Sequence, residues 1–210
     1  MSQNATDWIV QTPSRAIVLA ALTQPLTATQ LATRTDTRRD QCSKVITGLI
    51  CHALTRCINA CARRSRLYWV TRLGKQLRDS QRQRLGLPRA EPIPAGIDWH
   101  TYGWLCYTHR SAVVKALDRP MRPGEIKHRA RFLNPEVRIS ASNVRDIIRL
   151  LLARDIVEPV RIRKRSRPRY ILTDRGMQFR QLLIRAESEH IPFSSLERRL
   201  RQGDLSLTSA

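Results

Sequence analysis

Six cationic side chains, Arg161, Arg163, Lys164, Arg165, Arg167 and Arg169, crowd one short stretch with no acid between them. A guanidinium is always charged and presents its donors in a planar fork that matches phosphate oxygens and the guanine edge. Just upstream, Arg145 and Arg149 are four residues apart and share a face if the segment is helical. Ser140, Ser142 and Asn143 stand at the start of that segment, placed to cap it, touch phosphate or meet a base. Earlier in the chain Arg38, Arg39, Gln41, Ser43, Lys44 and Thr47 form a second polar, basic series, followed by Arg63, Arg64 and Arg66. Gln suits adenine, and Arg or Lys suits guanine. These side chains are the candidates for contact with nucleic acid.

Other chemistry is poorly served. The five histidines, His52, His100, His109, His128 and His190, are scattered without metal spacing. No Gly-rich phosphate loop, nucleophile elbow or apolar pair of carboxylates occurs, and the acids a metal-dependent nuclease needs are scarce. The expectation is a protein that is not an enzyme and holds no cofactor. Four of the five cysteines, Cys42, Cys51, Cys57 and Cys61, lie close together without the Cys-x-x-Cys pairs of a structural zinc site. They are read as reduced thiols filling small apolar spaces, with Cys57 and Cys61 on one face of a strand. A redox role stays open, because Arg56, Arg63 and Arg64 can lower a neighbouring thiol pKa.

Composition agrees with a polyanionic partner. The 210-residue chain has 38 Lys and Arg against 17 Asp and Glu, a formal net charge of +21. So large an excess opposes compact folding and implies a use for it. Codon bias can favour Arg over Lys but does not explain the shortage of acids. No stretch has the apolar length of a membrane span, and the first residues lack the pattern of a signal peptide. A cytoplasmic protein, associated with the nucleoid through DNA, is expected.

The elements that must hold these residues follow from periodicity. Val144, Ile147, Ile148, Leu151 and Leu152 mark the apolar stripe of a helix. Ile156–Arg163 and Arg169–Leu172 alternate as two strands of a hairpin, and Thr173 caps the next helix. A first copy of this unit precedes it. Ser14–Leu22 predicts a helix, the Thr27/Gln30 capping box starts a second, and Thr37–Leu54 is a third with Val45, Ile46, Leu49, Ile50 and Leu54 inside. Cys57–Ala62 and Leu67–Val70 read as strands around the arginine-rich tip, and Thr71 opens a fourth helix. Tyr68-Trp69-Val70-Thr71-x-x-Gly74 matches Tyr170-Ile171-Leu172-Thr173-x-x-Gly176, and Ala21-Leu22-x-x-Pro25-Leu26 matches Ala116-Leu117-x-x-Pro120-Met121. The second copy is expected to have a longer turn at 129–138 and a longer, more basic hairpin. The expected fold is therefore mainly α with small β-hairpins: a first domain over 1–85, a Pro/Gly linker over 86–97, a second domain over 98–190, and a short helix with a flexible tail over 191–210. Residues 1–12 read as a polar leader. Asp98 caps a helix whose Trp99, Tyr102, Trp104 and Tyr107 suit either a seam or an ordinary core.

The order helix Ser142–Arg154, basic hairpin Ile156–Leu172 and Leu172-Thr173-x-x-Gly176 exit resembles the winged-helix DNA-binding family, a helix-turn-helix carrying a β-hairpin wing. The multidrug-resistance and phenolic-acid repressors belong to it. The resemblance implies tandem winged helices, each with its third helix in a major groove and its wing on backbone or minor groove, and a homodimer formed through the helix after the wing. The expected function is a sequence-specific transcription regulator of double-stranded DNA, its effector unknown. A replication or partition protein of a mobile element is the alternative, and a protein-assembly module a more distant one.

Overall fold

The computed structural model describes residues 2–160, 167–191, 193, 194 and 196. Among them the chain forms ten helices and two antiparallel two-stranded hairpins, the mainly helical class expected. It divides into two compact units. Unit 1 combines the chain up to Gly103 with the described residues from Ala186 onward, and unit 2 is Trp104–Arg185. Unit 1 contains α1 (Ser2–Val10), α2 (Pro13–Ala21), α3 (Ala28–Thr35), α4 (Arg39–Cys51), β1 (Thr55–Cys57), β2 (Tyr68–Val70) and α5 (Arg72–Arg84). The division falls within α6 (Trp99–Leu105). Unit 2 continues with α7 (Thr108–Ala116), α8 (Pro123–Leu133), α9 (Ala141–Leu152), β3 (Val157–Val160), β4 (Arg169–Leu172) and α10 (Asp174–Ser188).

Local chemistry sets these boundaries. Pro13 occupies the first turn of α2, where its missing N–H costs nothing. Ala16 to Leu22 are all buried, so α2 is the hub of its unit rather than an amphipathic surface helix. The Thr27 hydroxyl accepts from the Gln30 N–H at 3.1 Å while the Thr27 N–H donates to Gln30 Oε1 at 2.9 Å, the predicted capping box. Ser140 caps α9 by accepting from the Asn143 N–H at 3.1 Å. Asp98 Oδ1 accepts from the N–H groups of His100 and Thr101 at the start of α6.

The internal repeat holds atom for atom at its landmarks. The Thr71 hydroxyl donates to Ala53 O at 2.7 Å and accepts from the Gly74 N–H at 3.0 Å. The Thr173 hydroxyl donates to Asp155 O at 2.8 Å and accepts from the Gly176 N–H at 3.1 Å. Ala53 and Asp155 both take φ 54°, a left-handed residue between helix and strand in each unit. Tyr68 exchanges backbone hydrogen bonds with Leu26, and Tyr170 does so with Met121. Both α2 and α7 end on the same pair of tighter bonds, Leu22 N–H to Leu19 O and Thr23 N–H to Ala21 O in one, Leu117 N–H to Val114 O and Asp118 N–H to Ala116 O in the other.

The repeat also reaches further upstream than the sequence suggests. Residues 2–10 are helix α1, not a leader, with Ala5 and Ile9 buried in unit 1. Arg15 lies 4.1 Å from the centroid of Trp8 and donates to Trp8 O at 2.7 Å. Arg110 lies 4.1 Å from the centroid of Trp104 and donates to Trp104 O at 3.1 Å. On the other side His52 stacks on Trp8 at 4.1 Å, and Arg154, at the matching position, sits 4.0 Å from Trp104. Each unit thus ties a preceding helix to the end of its third helix through one tryptophan.

Other boundaries move. The third helix is Arg39–Cys51 rather than Thr37–Leu54, because Ala53 turns left-handed and sends Leu54 into the hairpin. The first strand is Thr55–Cys57, not Cys57–Ala62. The two hairpins have the same chain length: Thr55 pairs with Val70 and Val157 with Leu172, in one register. The second is therefore no longer than the first, though four residue pairs close it instead of three. Much of the predicted turn at 129–138 is helix, since α8 runs to Leu133 and exceeds α3 by three residues, 11 against 8.

Unit 1 carries a buried polar centre. The last carbonyls of α2 each receive a guanidinium: Ala20 O from Arg82 at 2.8 Å, Ala21 O from Arg34 at 2.9 Å and Leu22 O from Arg78 at 3.0 Å. Positive charge at a helix C-terminus is favoured by the aligned peptide dipoles. Glu189 neutralises two of the three, with its oxygens 2.8 Å from Arg34 and 2.7 Å from Arg82. The Ile191 N–H then donates to Arg34 O at 2.8 Å. These bonds hold residues 186–191 in unit 1, whereas the sequence pattern runs the second domain to residue 190.

Candidate nucleic-acid interface

In unit 1, α4 buries Cys42, Ile46 and Leu49 and turns Arg39, Gln41, Ser43, Lys44 and Thr47 outward. Of the predicted stripe, Val45 is only half-buried and Ile50 is 41% exposed; Cys42 takes the inner place instead. Arg38 precedes α4, exposed and paired with Asp40 at 3.1 Å. The Ser43 hydroxyl donates to Arg39 O at 2.9 Å and the Thr47 hydroxyl to Ser43 O at 3.0 Å, so both turn back on their own helix. The side chains of Arg39, Gln41 and Lys44 make no hydrogen bond or ion pair among the described residues.

The tip of the first hairpin is built around Asn59, which is not among the residues singled out by type and spacing. Asn59 is buried, accepts from the Leu67 N–H at 2.6 Å and donates to Ser65 O at 3.1 Å. Gly103 packs against this knot, since a Cβ there would meet Asn59 Nδ2, Ser65 O and Leu67. The loop is thereby fixed across its base, and Arg63, Arg64 and Arg66 are all exposed on it. Arg66 donates to Ala62 O at 3.3 Å. A single polar residue within the apolar segment after Cys57 was the available signal.

The cysteines do not form a set. Cys42 is buried with its sulfur 2.9 Å from Thr37 Oγ1, Cys57 is half-buried, and Cys51 and Cys61 are exposed. Cys61 lies outside β1, so it does not share a strand face with Cys57. Among the described residues no three His, Cys, Asp or Glu side chains come together as metal ligands.

In unit 2, α9 buries Val144, Ile147, Ile148 and Leu151 and exposes Ser142, Asn143, Arg145, Asp146 and Arg149. Leu152, the last member of the predicted stripe, is half-buried. Asp146 holds Arg149 at 2.9 Å, an exposed pair, while the Arg145 side chain has no such partner among the described residues. Ser140 and Ser142 share a hydrogen bond at 2.9 Å. Beside α9 lies an open groove of about 430 Å³, lined by Tyr107, Arg110, Asn143, Asp146 and Leu150. Leu150 stands where unit 1 has Gly48, whose bare Cα admits the Trp8 ring. Burial lowers the Arg110 pKa and the like charge of Arg154 adds to this, against an opposing effect of Tyr107.

Arg161, Arg163, Lys164 and Arg165, at the tip of the second hairpin, lie outside the described residues. Arg167 is exposed. Arg169 is half-buried and donates to Pro120 O at 3.0 Å and to Glu125 at 3.3 Å, tying β4 to the start of α8. Arg34, Arg78 and Arg82 are spent internally on α2, so part of the positive charge is structural.

Each unit thus presents, in sequence, an exposed polar face on its third helix and a hairpin with exposed arginines, Arg63, Arg64 and Arg66 in unit 1 and Arg167 in unit 2. No helix among the described residues is long and apolar enough to cross a membrane. No protein-family model, curated protein or solved structure matches the chain.

Proposed function

We propose that this is a sequence-specific double-stranded DNA-binding protein, a transcription regulator of the winged-helix kind with two reading units in one chain. The observation that carries the reading is the repeated juxtaposition of a third helix, polar on its free face, with an arginine-bearing hairpin, in a chain of net charge +21. The helix face suits base edges in a major groove and the hairpin suits the flanking phosphates. Assembly as a homodimer belongs to the same proposal. Its support is on α10, where Met177 and Ile184 are 47% and 40% exposed and fall on one side of the helix.

The test is a salt titration on the natural site, found by genome-wide crosslinking, and on a scrambled duplex. Binding should fall linearly as log salt rises, with a slope of about −0.9 per phosphate contacted. Arg64→Ala or Arg167→Ala should weaken both duplexes alike and flatten the slope by about one unit. Arg145→Ala should cost about 1–3 kcal/mol on the natural site and little on the scrambled one. Absence of duplex binding at low salt overturns the proposal. Light scattering at micromolar concentration should return twice the chain mass, and a monomer both free and on DNA removes the dimer.

A further inference from the structure

The shared landmarks allow the two reading faces to be compared position by position. Ala53 and Asp155, Thr71 and Thr173, and the Leu54 and Ile156 N–H groups, which bond Leu49 O and Leu151 O, pin α4 and α9 to their hairpins in one register. In that register Gln41 corresponds to Asn143, Ser43 to Arg145, Lys44 to Asp146 and Thr47 to Arg149. The scaffold is repeated but its free face is not. Where unit 2 extends two guanidinium groups, unit 1 has two hydroxyl residues turned back on the helix. Where unit 1 extends the ammonium of Lys44, unit 2 has a carboxylate that fixes Arg149.

Resting on the proposed DNA-binding function, we infer that each chain reads two unlike blocks of duplex: a guanine-containing block under α9 and a block rich in A·T pairs under α4. Arg145 and Arg149 reach guanine O6 and N7, and Asp146 limits the rotamers of Arg149 before it binds. On α4, Gln41 pairs with an adenine edge. The hydroxyl of Thr47 is occupied by Ser43 O, which leaves its methyl group for contact with the thymine methyl. Lys44 supplies a single mobile charge rather than a fork. If two chains bind together, each still contributes one block of each kind.

The experiment is selection from a randomised duplex library with the full chain, repeated for three variants. The parent should yield two separable blocks of different composition. Arg145→Ala with Arg149→Ala should relax only the guanine-containing block, by about tenfold per contacted base pair. Gln41→Ala with Lys44→Ala should relax only the other. Ser43→Arg with Thr47→Arg, which writes the unit 2 pattern onto exposed positions of unit 1, should bring guanine into the A·T-rich block. Two identical blocks from the parent, or the same positions relaxed by both alanine pairs, overturns the inference while leaving DNA binding intact. Recovery of no enriched sequence overturns sequence-specific binding as well.

Discussion

Gly74 and Gly176 mark the closest approach of helix to hairpin in each unit, because a Cβ at either would run into the carbonyl of Leu54 or Ile156. Gly74→Ala and Gly176→Ala should each lower stability by about 1–3 kcal/mol, read as a fall in melting temperature. Gly124→Ala, where nothing lies within 4 Å, should go the other way by about 0.5–1 kcal/mol at most, since alanine is the better helix former. Asn59 gives a second test at this scale. Asn59→Ala leaves the Leu67 N–H unpaired and should cost about 1–3 kcal/mol, with faster hydrogen exchange at the Leu67 amide. The glycines were legible in the sequence as half of a Thr-x-x-Gly repeat. Asn59 was not, because its importance depends on where the chain folds back at Ser65, and local pattern does not show that turn.

At the scale of elements, the helices with a threonine or serine cap and a regular apolar stripe were readable, and so was the base of the second hairpin, Val157–Val160 with Arg169–Leu172, while residues 161–163 of its expected first strand lie outside the described residues. Two kinds of element were not. Among its described side chains helix α1 turns Ala5, Trp8 and Ile9 inward, set among polar residues, so composition concealed a periodicity of three and four. Strand β1 was misplaced because symmetry about Arg63–Arg66 suggested a regular hairpin, whereas Asn59 holds residues 60–66 as a loop outside the ladder. The tryptophan tie makes α1 testable. Gly48→Leu copies the residue of unit 2 into the space of the Trp8 ring, which lies 2.8 Å from an added Cβ. It should displace α1, seen as a blue-to-red shift of Trp8 fluorescence and protease cleavage between Val10 and Pro13. Leu150→Gly in unit 2 should leave α6 in place, because Trp104 is held by Arg110 and Arg154 from its faces.

Across the whole molecule, net charge was visible in the sequence but its partition was not. Arg34 and Arg82 have 0% and 3% exposed side chains, and both depend on Glu189, which is 28% exposed. Glu189→Ala removes the carboxylate that the two buried guanidinium groups share and should cost at the lower end of roughly 3–5 kcal/mol, because the site keeps some access to water. Glu189→Gln should cost less than Glu189→Ala, since its amide oxygen still accepts from one arginine; chemical denaturation followed by circular dichroism measures both. The same contact bears on how the chain is made. Polypeptides leave the ribosome amino end first, and domains ordinarily fold in that order. Here the carboxylate that neutralises Arg34 and Arg82 is residue 189, so all of Trp104–Arg185 is translated before the first unit has its full complement of charge. Unit 1 starts to be synthesised before unit 2 and is completed after it.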